Sequence, residues 1–242
     1  MARQIQRNAS RGILSLLALA CAAACAPMVT HGPRVQPGVA VVVTAGGGLP
    51  ACDSAVCELG LLPQAALGLR GGRTATETRP GFSVAANFSI NLFSSELDLY
   101  AQAPTGSMGL DAGAGVLLSA AHTMPYVQLG RTRDDGSGFY TTQGFVWMMQ
   151  RPATYRFFGE DDSADELQPR YWAPTVAYRT AGRRGLHLYV SGAFGTADEY
   201  GWTGEGTRKD WVGSQPVRTV MAGAVFEGSP LDLLPWFLIP NQ

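Results

Sequence analysis

Charged residues are scarce in this 242-residue chain, and lysine is almost absent. Asp, Glu, Lys and Arg make up only 15% of the residues, and Lys209 is the single lysine beside seventeen arginines. The formal net charge is −1, so the sequence has no basic excess of the kind that binds nucleic acids. Hydrophobic residues reach 46%, which excludes an intrinsically disordered chain. The composition predicts a protein that folds or inserts into a membrane and has no nucleic-acid partner.

The sequence also lacks an apolar run long enough for a transmembrane helix at its N-terminus. The run at residues 13–20 is much shorter than the roughly 20 residues that cross a hydrocarbon core. Arg3, Arg7 and Arg11 precede it and small residues follow it, which is the pattern of a secretory signal peptide. We therefore predict a signal peptide at residues 1–20 and an exported mature protein.

Cysteine is rare, and two of the four cysteines lie directly after this run. Cys21 follows Ala20, and Cys25 follows three alanines. A cysteine after a small residue at this point resembles the bacterial lipobox, whose cysteine becomes the lipidated first residue of the mature chain. The resemblance implies a lipid anchor at Cys21 or Cys25, with Cys21 favoured and residues 21–38 forming the lipidated N-terminus and a linker. The alternative is ordinary cleavage after Ala20 without lipidation.

The remaining two cysteines, Cys52 and Cys57, are separated by four residues between flanks rich in glycine and proline. No histidine is close to them in the sequence. In an exported protein this spacing predicts a local disulfide that closes a loop, rather than a metal or redox site. We expect no metal and no cofactor.

Histidine is scarce too, which limits the catalytic chemistry that the chain can support. The three histidines are His31 in the linker, His122 beside a turn and His187 on an expected strand. Ser119 and His122 are three residues apart, so on one strand they would point to opposite faces, and no acid is placed to orient the ring. The acidic stretch at residues 159–166 lacks calcium-loop spacing and is interpreted as a solvated loop. The sequence therefore predicts that the protein is not an enzyme.

What is abundant is the alternation of apolar and polar residues from residue 39 onward. Between Phe82 and Leu92 every second residue is apolar, and a period of two is typical of strands with one apolar face. The expected strands lie near residues 39–46, 64–72, 81–93, 96–103, 108–120, 124–132, 138–149, 171–180, 185–196 and 216–227. Several are as long as the roughly 9–11 residues of a tilted strand that crosses a membrane. We predict an all-β fold, an antiparallel up-and-down β-barrel of about 8–10 strands over residues 39–227, of the membrane type rather than soluble.

The lengths of the expected connections support the membrane type. The three longest are the first, the seventh and the ninth, near residues 47–63, 150–170 and 197–215, whereas the even-numbered ones are short. Bacterial barrels place short turns in the periplasm and longer loops outside. The shared parity of the long connections therefore predicts an even-stranded barrel with both ends in the periplasm.

These features together resemble the small bacterial outer-membrane β-barrel proteins. That family ends in an amphipathic last strand with an aromatic residue, and Val220, Ala222, Ala224 and Phe226 are similar to it. The chain departs from the pattern by continuing as an apolar C-terminal tail at residues 228–242. The resemblance implies insertion in the outer membrane with the N-terminus in the periplasm, and membrane lipid as the partner.

In such a barrel the polar side of each strand lines a narrow interior. The residues expected there are Asp98, Asp111, Arg179, His187 and Tyr189. Ionic groups in a narrow lumen must pair or find water, so we interpret these five as a structural polar network. Lining a narrow ion or solute path is the functional alternative.

The sequence leads to two hypotheses about function. The first is an outer-membrane-associated barrel, lipid-anchored or not, with a structural, surface-interaction or narrow-pore role. The second is a periplasmic lipoprotein with a soluble all-β domain that binds an apolar ligand or a protein partner. The direction of Phe82, Val84, Phe88 and Ile90 separates them, because only the membrane barrel points these side chains outward. The sequence identifies no protein partner and no solute.

Overall fold

The computed structural model describes residues 29–50, 62–89, 94–104, 109–120, 122–148, 166–181, 185–202 and 209–229. Several predictions lie outside these ranges: the signal peptide at 1–20, lipid attachment at Cys21 or Cys25, the Cys52–Cys57 disulfide and the tail beyond residue 229. Across the described ranges, no helix is long and apolar enough to span a bilayer.

Ten antiparallel strands form one closed barrel, as the alternation predicts. Their bounds are β1 Gly38–Pro50, β2 Leu62–Arg73, β3 Gly81–Ser89, β4 Ser94–Gln102, β5 Asp111–Ser119, β6 His122–Thr132, β7 Gly138–Met148, β8 Glu166–Arg179, β9 Gly185–Trp202 and β10 Lys209–Gly228. Each strand pairs with its neighbours in sequence, and β1 pairs with β10 to close the wall. Closure gives the backbone amides and carbonyls of every strand a partner strand on both sides.

The two ends of the barrel carry different connections. The turn end carries residues 74–80, 103–110, 133–137 and 180–184, and the loop end carries 51–61, 90–93, 120–121, 149–165 and 203–208. The first and seventh connections are the longest, as expected from the sequence. The expected long ninth connection is wrong, because β9 and β10 continue as a paired ribbon as far as Trp202 and Lys209.

The apolar side of the strands faces outward, and the polar side faces the lumen. Phe82, Val84 and Phe88 on β3 are exposed, Phe82 to 52%, and they alternate with buried residues such as Ser83. Ile90 lies outside the described residues. The same orientation holds on β9, where Leu186, Leu188 and Val190 are exposed and His187, Tyr189 and Ser191 are buried. Among the described strands, the apolar stripes therefore form the outside of the barrel.

Aromatic side chains border the outward apolar surface at both ends. The loop-end row contains Phe145, Trp147, Trp172 and Phe194, and the turn-end row contains Phe82, Phe139 and Tyr178. Trp172 and Tyr178 lie six residues apart on β8, about 20 Å along the strand at roughly 3.3 Å per residue. The outward charged residues of the described strands, Arg73, Arg131, Arg170, Asp198 and Arg218, lie level with these rows or beyond them. An uncharged band thus runs between two aromatic rows.

The lumen divides into two halves of different chemistry. The loop half, nearer the loop end, is packed mainly with apolar side chains, among them Leu117, Met124, Val146, Tyr171, Ala193, Ala197 and Val217. The turn half, nearer the turn end, holds buried polar and ionic side chains, among them Arg70, Ser83, Gln102, Gln128, His187 and Glu227.

Candidate functional site

Residues 29–37, here called the lumen segment, lie inside the barrel. The sequence analysis treats them as part of a linker, but Val29, His31 and Val35 are buried by the surrounding wall. The segment has no strand pairing of its own. The chain then leaves the lumen at Gly38, whose φ of 94° lies in the region that favours glycine, and begins β1 there.

The lumen segment runs alongside β4 and contacts it at every second residue. The Val35 N–H donates to Gln102 Oε1 at 2.9 Å, and the Tyr100 hydroxyl donates to the Pro33 carbonyl at 2.9 Å. Two residues further back, His31 Nε2 lies 3.2 Å from Asp98 Oδ2. Since both chains advance by two residues between contacts, the segment runs parallel to β4, from the loop half towards the turn end.

His31 is the central anchor of the segment, and its side chain is 0% exposed. Its Nδ1 lies 2.7 Å from the Gly32 carbonyl oxygen, while Nε2 faces Asp98 and lies 3.0 Å from the Tyr126 hydroxyl. The Tyr126 hydroxyl itself donates to Asp98 Oδ1 at 2.6 Å. Both ring nitrogens thus face oxygen atoms, and the Asp98 carboxylate lies within ion-pair distance of Nε2.

A second polar cluster occupies the turn half. Arg70 Nη1 donates to Glu227 Oε1 at 3.2 Å, and Nη2 donates to Ser83 Oγ at 2.9 Å. His187 Nδ1 lies 2.9 Å from the Tyr140 hydroxyl, and its Nε2 lies 3.6 Å from Glu227 Oε2. The cluster joins β2, β3, β7, β9 and β10, so it fixes strands from opposite sides of the closing seam between β1 and β10.

The five predicted lumen residues are all buried inside the barrel, but they do not form one connected network. Asp98 contacts the lumen segment, and His187 belongs to the cluster around Glu227. Asp111 accepts a hydrogen bond from the Thr132 N–H at 3.2 Å, which joins β5 to β6. Tyr189 packs its hydroxyl beside the backbone of β1 and β10, and Arg179 lies at the mouth of the turn end.

Glycines in the wall make room for these tyrosines. A Cβ at Gly113 would overlap the Tyr100 hydroxyl, and a Cβ at Gly115 would overlap the Tyr126 ring. The two rings stack at 6.0 Å between centroids, and both contact the lumen segment. The close backbone approach that glycines within a strand indicate is therefore an approach to aromatic side chains of the lumen.

The structure overturns the argument that separated Ser119 from His122. The two residues face each other across the tight β5–β6 connection, with Ser119 Oγ 2.9 Å from His122 Nδ1. An acid is also present, since His122 Nε2 lies 3.5 Å from Glu96 Oε1. The Ser119 hydroxyl oxygen accepts the His122 N–H at 3.0 Å, and the His122 ring is fully buried. The geometry is that of a side chain closing a tight turn, and the order serine, histidine, glutamate arises from strand pairing that the sequence spacing did not indicate.

A cavity of about 520 Å³ opens at the turn end. The lumen segment forms one wall with Arg34 and Gln36, the β6–β7 turn forms another with Arg133 and Asp134, and Arg179 closes the inner side. In that turn, Asp135 Oδ1 accepts hydrogen bonds from the Ser137 side chain at 2.7 Å and from its N–H at 2.8 Å. The hydrogen bond from the Ser137 hydroxyl holds the pKa of Asp135 below its usual range.

Within the part of the chain that the structure describes, no three His, Cys, Asp or Glu side chains form a group that could hold a metal ion. No protein-family model matches the sequence, and a search of curated proteins finds no significant match. The geometry of the barrel and its lumen is therefore the basis for assigning a function.

The sequence analysis missed several important lumen residues, above all His31, Arg70 and Glu227. The alternation of β2 and β10 contains a signal for two of them, since Arg70 follows exposed Leu69 and Glu227 follows half-buried Phe226. His31 precedes the first strand and takes part in no alternation. Its position depends on the path of the lumen segment, which no local pattern reveals.

Proposed function

We propose that the protein is an outer-membrane β-barrel whose lumen is occupied by its own N-terminal segment, and that its role is structural or surface-presenting rather than conductive. The observation that carries the proposal is the sidedness of the wall: apolar residues outside, polar residues inside. A soluble barrel has the opposite arrangement, because water favours a polar exterior.

The uncharged outer band supports membrane insertion. It lies between two aromatic rows that are about 20 Å apart along β8, which the usual strand tilt of roughly 35–45° reduces to a height of about 15 Å, within the roughly 25 Å apolar band of outer-membrane barrels. Polar groups within the band are bonded to each other: Trp172 Nε1 donates to Gln143 Oε1 at 2.9 Å, and Gln143 Nε2 donates to Thr141 Oγ1 at 2.8 Å. Such internal pairing is what hydrocarbon requires of an outward amide.

The filled lumen supports a structural role over a narrow pore. The lumen segment occupies the interior beside β4, and Leu117, Met124 and Tyr171 pack the loop half, where the few buried polar groups, such as His122 and Glu96, face each other. A path for ions or solutes requires hydrated polar groups along its whole length. We therefore propose that the barrel acts as a scaffold anchored in the membrane. Its loops and its N-terminal region would then be the parts that contact partners. Lipid attachment at Cys21 or Cys25 belongs to this proposal as a second, independent anchor.

The proposal is tested by placing one arginine at two depths on the same face of β6. Val127→Arg lies inside the uncharged band, and Thr123→Arg lies level with Trp147 in the loop-end row. In a bilayer the first should cost about 2–4 kcal/mol and the second about 0–1 kcal/mol, because the penalty falls with distance from the midplane. The measurement is urea unfolding of barrels refolded in lipid vesicles, scored by heat-modifiable migration on gels.

The native membrane fraction provides the matching control. A barrel inserted in the bilayer stays with the membrane through an alkaline carbonate wash and dissolves in detergent. Release by carbonate, or equal unfolding costs for the Val127 and Thr123 variants, would refute insertion. A vesicle leakage assay tests the role: wild-type barrels should release no trapped dye, and steady release would instead favour the narrow pore.

A further inference from the structure

We infer that the cavity at the turn end is a binding site for a phosphate group. Its inner wall is the guanidinium of Arg179, the last residue of β8, which is only 8% exposed and lines the cavity. The Nε atom of this guanidinium has no hydrogen-bond partner. The ion pairs given for the described residues involve Arg70 and the three histidines, not Arg179. A buried charge without an ion-pair partner is costly, so an anion that enters the cavity gains a strong contact.

Two further arginines border the same space. Arg34 on the lumen segment is half-buried, and Arg133 on the β6–β7 turn is exposed. Three arginines from three separate parts of the chain thus line one cavity. A phosphate has oxygens in several directions and can accept from all three, whereas one carboxylate is planar and suits a single guanidinium fork.

The acids near the cavity leave this positive character in place. Asp134 and Asp135 on the β6–β7 turn also line the cavity and carry two negative charges, so the three arginines leave a net charge of about +1 there. The nearest interior acid, Glu227, is paired with Arg70. The volume of about 520 Å³ exceeds that of a bare phosphate, so the site has space for a phosphate monoester.

The group that carries the phosphate could come from solution or from a lipid headgroup at the barrel rim. The shared chemistry is a phosphate monoester, and the mouth opens at the turn end, where both sources have access. The cavity is formed by the folded barrel, whether or not the barrel is inserted in a membrane. The binding experiment, which uses detergent-purified protein, can therefore fail while the membrane tests described above succeed, and the reverse.

The test is isothermal titration of the full chain in detergent with inorganic phosphate, at constant ionic strength. We expect saturable binding that Arg179→Gln weakens about tenfold and Arg34→Gln weakens severalfold, since each removes one charge-assisted contact. Arg131→Gln is the matched control: it removes an exposed arginine at the same end that points outward, and it should leave the affinity within twofold. Each variant is first checked for heat-modifiable migration, and Arg34→Gln carries the test if Arg179→Gln does not fold.

Three further titrations complete the design. Glycerol 3-phosphate and dihexanoyl phosphatidic acid distinguish the sources, because tighter binding of the lipid assigns the site to headgroups and equal binding assigns it to soluble monoesters. Either result supports the site. Acetate should bind at least tenfold more weakly than phosphate. Absence of saturable phosphate binding to folded protein, equal binding of acetate, or an equal loss in the Arg131 and Arg179 variants would overturn the inference.

Discussion

The two halves of the lumen are built on different physical principles. The loop half packs Leu117, Met124 and Val146 as the core of a soluble protein does, and its stability comes from volume filling. The turn half buries Arg70, Glu227 and His187, and its stability depends on charges that must stay paired. This barrel therefore fills one end of its lumen mainly with apolar side chains and keeps a polar, accessible mouth at the other.

The largest effect is expected from breaking a charge pair in the turn half. Glu227→Gln keeps the shape of the side chain but leaves the Arg70 guanidinium buried without its counter-charge. Removing one partner of a buried pair costs about 3–5 kcal/mol, and we expect a loss of that size in urea unfolding.

The double variant Arg70→Met, Glu227→Met distinguishes the effect of an unpaired charge from the effect of changing the shape of these two side chains. Because no charge remains unpaired, the double variant should recover most of the stability lost by Glu227→Gln. A double variant as unstable as the single one would show that volume, rather than charge, governs the turn half. The contrast between the two halves would then disappear.

A smaller effect is expected from a cavity in the loop half. Leu117 is 0% exposed inside the lumen, while its neighbour Leu118 is 36% exposed on the outside. Leu117→Ala should cost about 3 kcal/mol, because the side chain leaves both a transfer loss and an unfilled cavity. Leu118→Ala should cost clearly less, since lipid or detergent fills the space outside. Equal costs in urea unfolding would contradict the orientation of β5.

The smallest effect concerns the turn beside the cavity and depends on pH. The carboxylate of Asp135 accepts two hydrogen bonds from Ser137, and its pKa is lowered. A depressed pKa means that this ordering is present above the unfolded pKa and is lost as pH falls through the folded one. Amide exchange at Ser137, followed by NMR, should therefore accelerate in acid in the wild type. In Asp135→Ala the Ser137 amide should exchange fast at every pH, once the intrinsic pH dependence of amide exchange is taken into account. If this variant still showed an acceleration in acid as large as that of the wild type, Asp135 could not be the origin of the pH dependence.

The fold was predictable from the sequence because strand alternation is a local signal. Every expected strand has an observed counterpart, and residues such as Phe82 and Leu188 lie on the outward side of the wall. The limits of β9 and β10 were not predictable, since the ribbon at the loop end contains glycines and polar residues that interrupt the pattern. Pairing between the two strands extends them beyond the alternation.

For the lumen, the sequence predicts which residues point inward but not which of them contact each other. Asp98 and His187 follow from alternation, but their partners come from residues distant in sequence: His31 for Asp98, Tyr140 for His187. The expectation that Ser119 and His122 diverge failed because a connection of two residues intervenes and turns the chain back. Contacts of this kind depend on closure of the barrel and on the path of the lumen segment, which are properties of the whole chain.

The direction of the lumen segment has a consequence for how the barrel is filled. The chain passes through the barrel once, from Val29 to Gly38, before it builds any wall, and the last strand, β10, then seals against the first. In the folded barrel the ten strands enclose a segment of their own chain. The described part of the segment begins in the loop half at Val29, whereas β1 begins and β10 ends at the turn end. The chain therefore supplies both the wall and part of the filling of the same lumen.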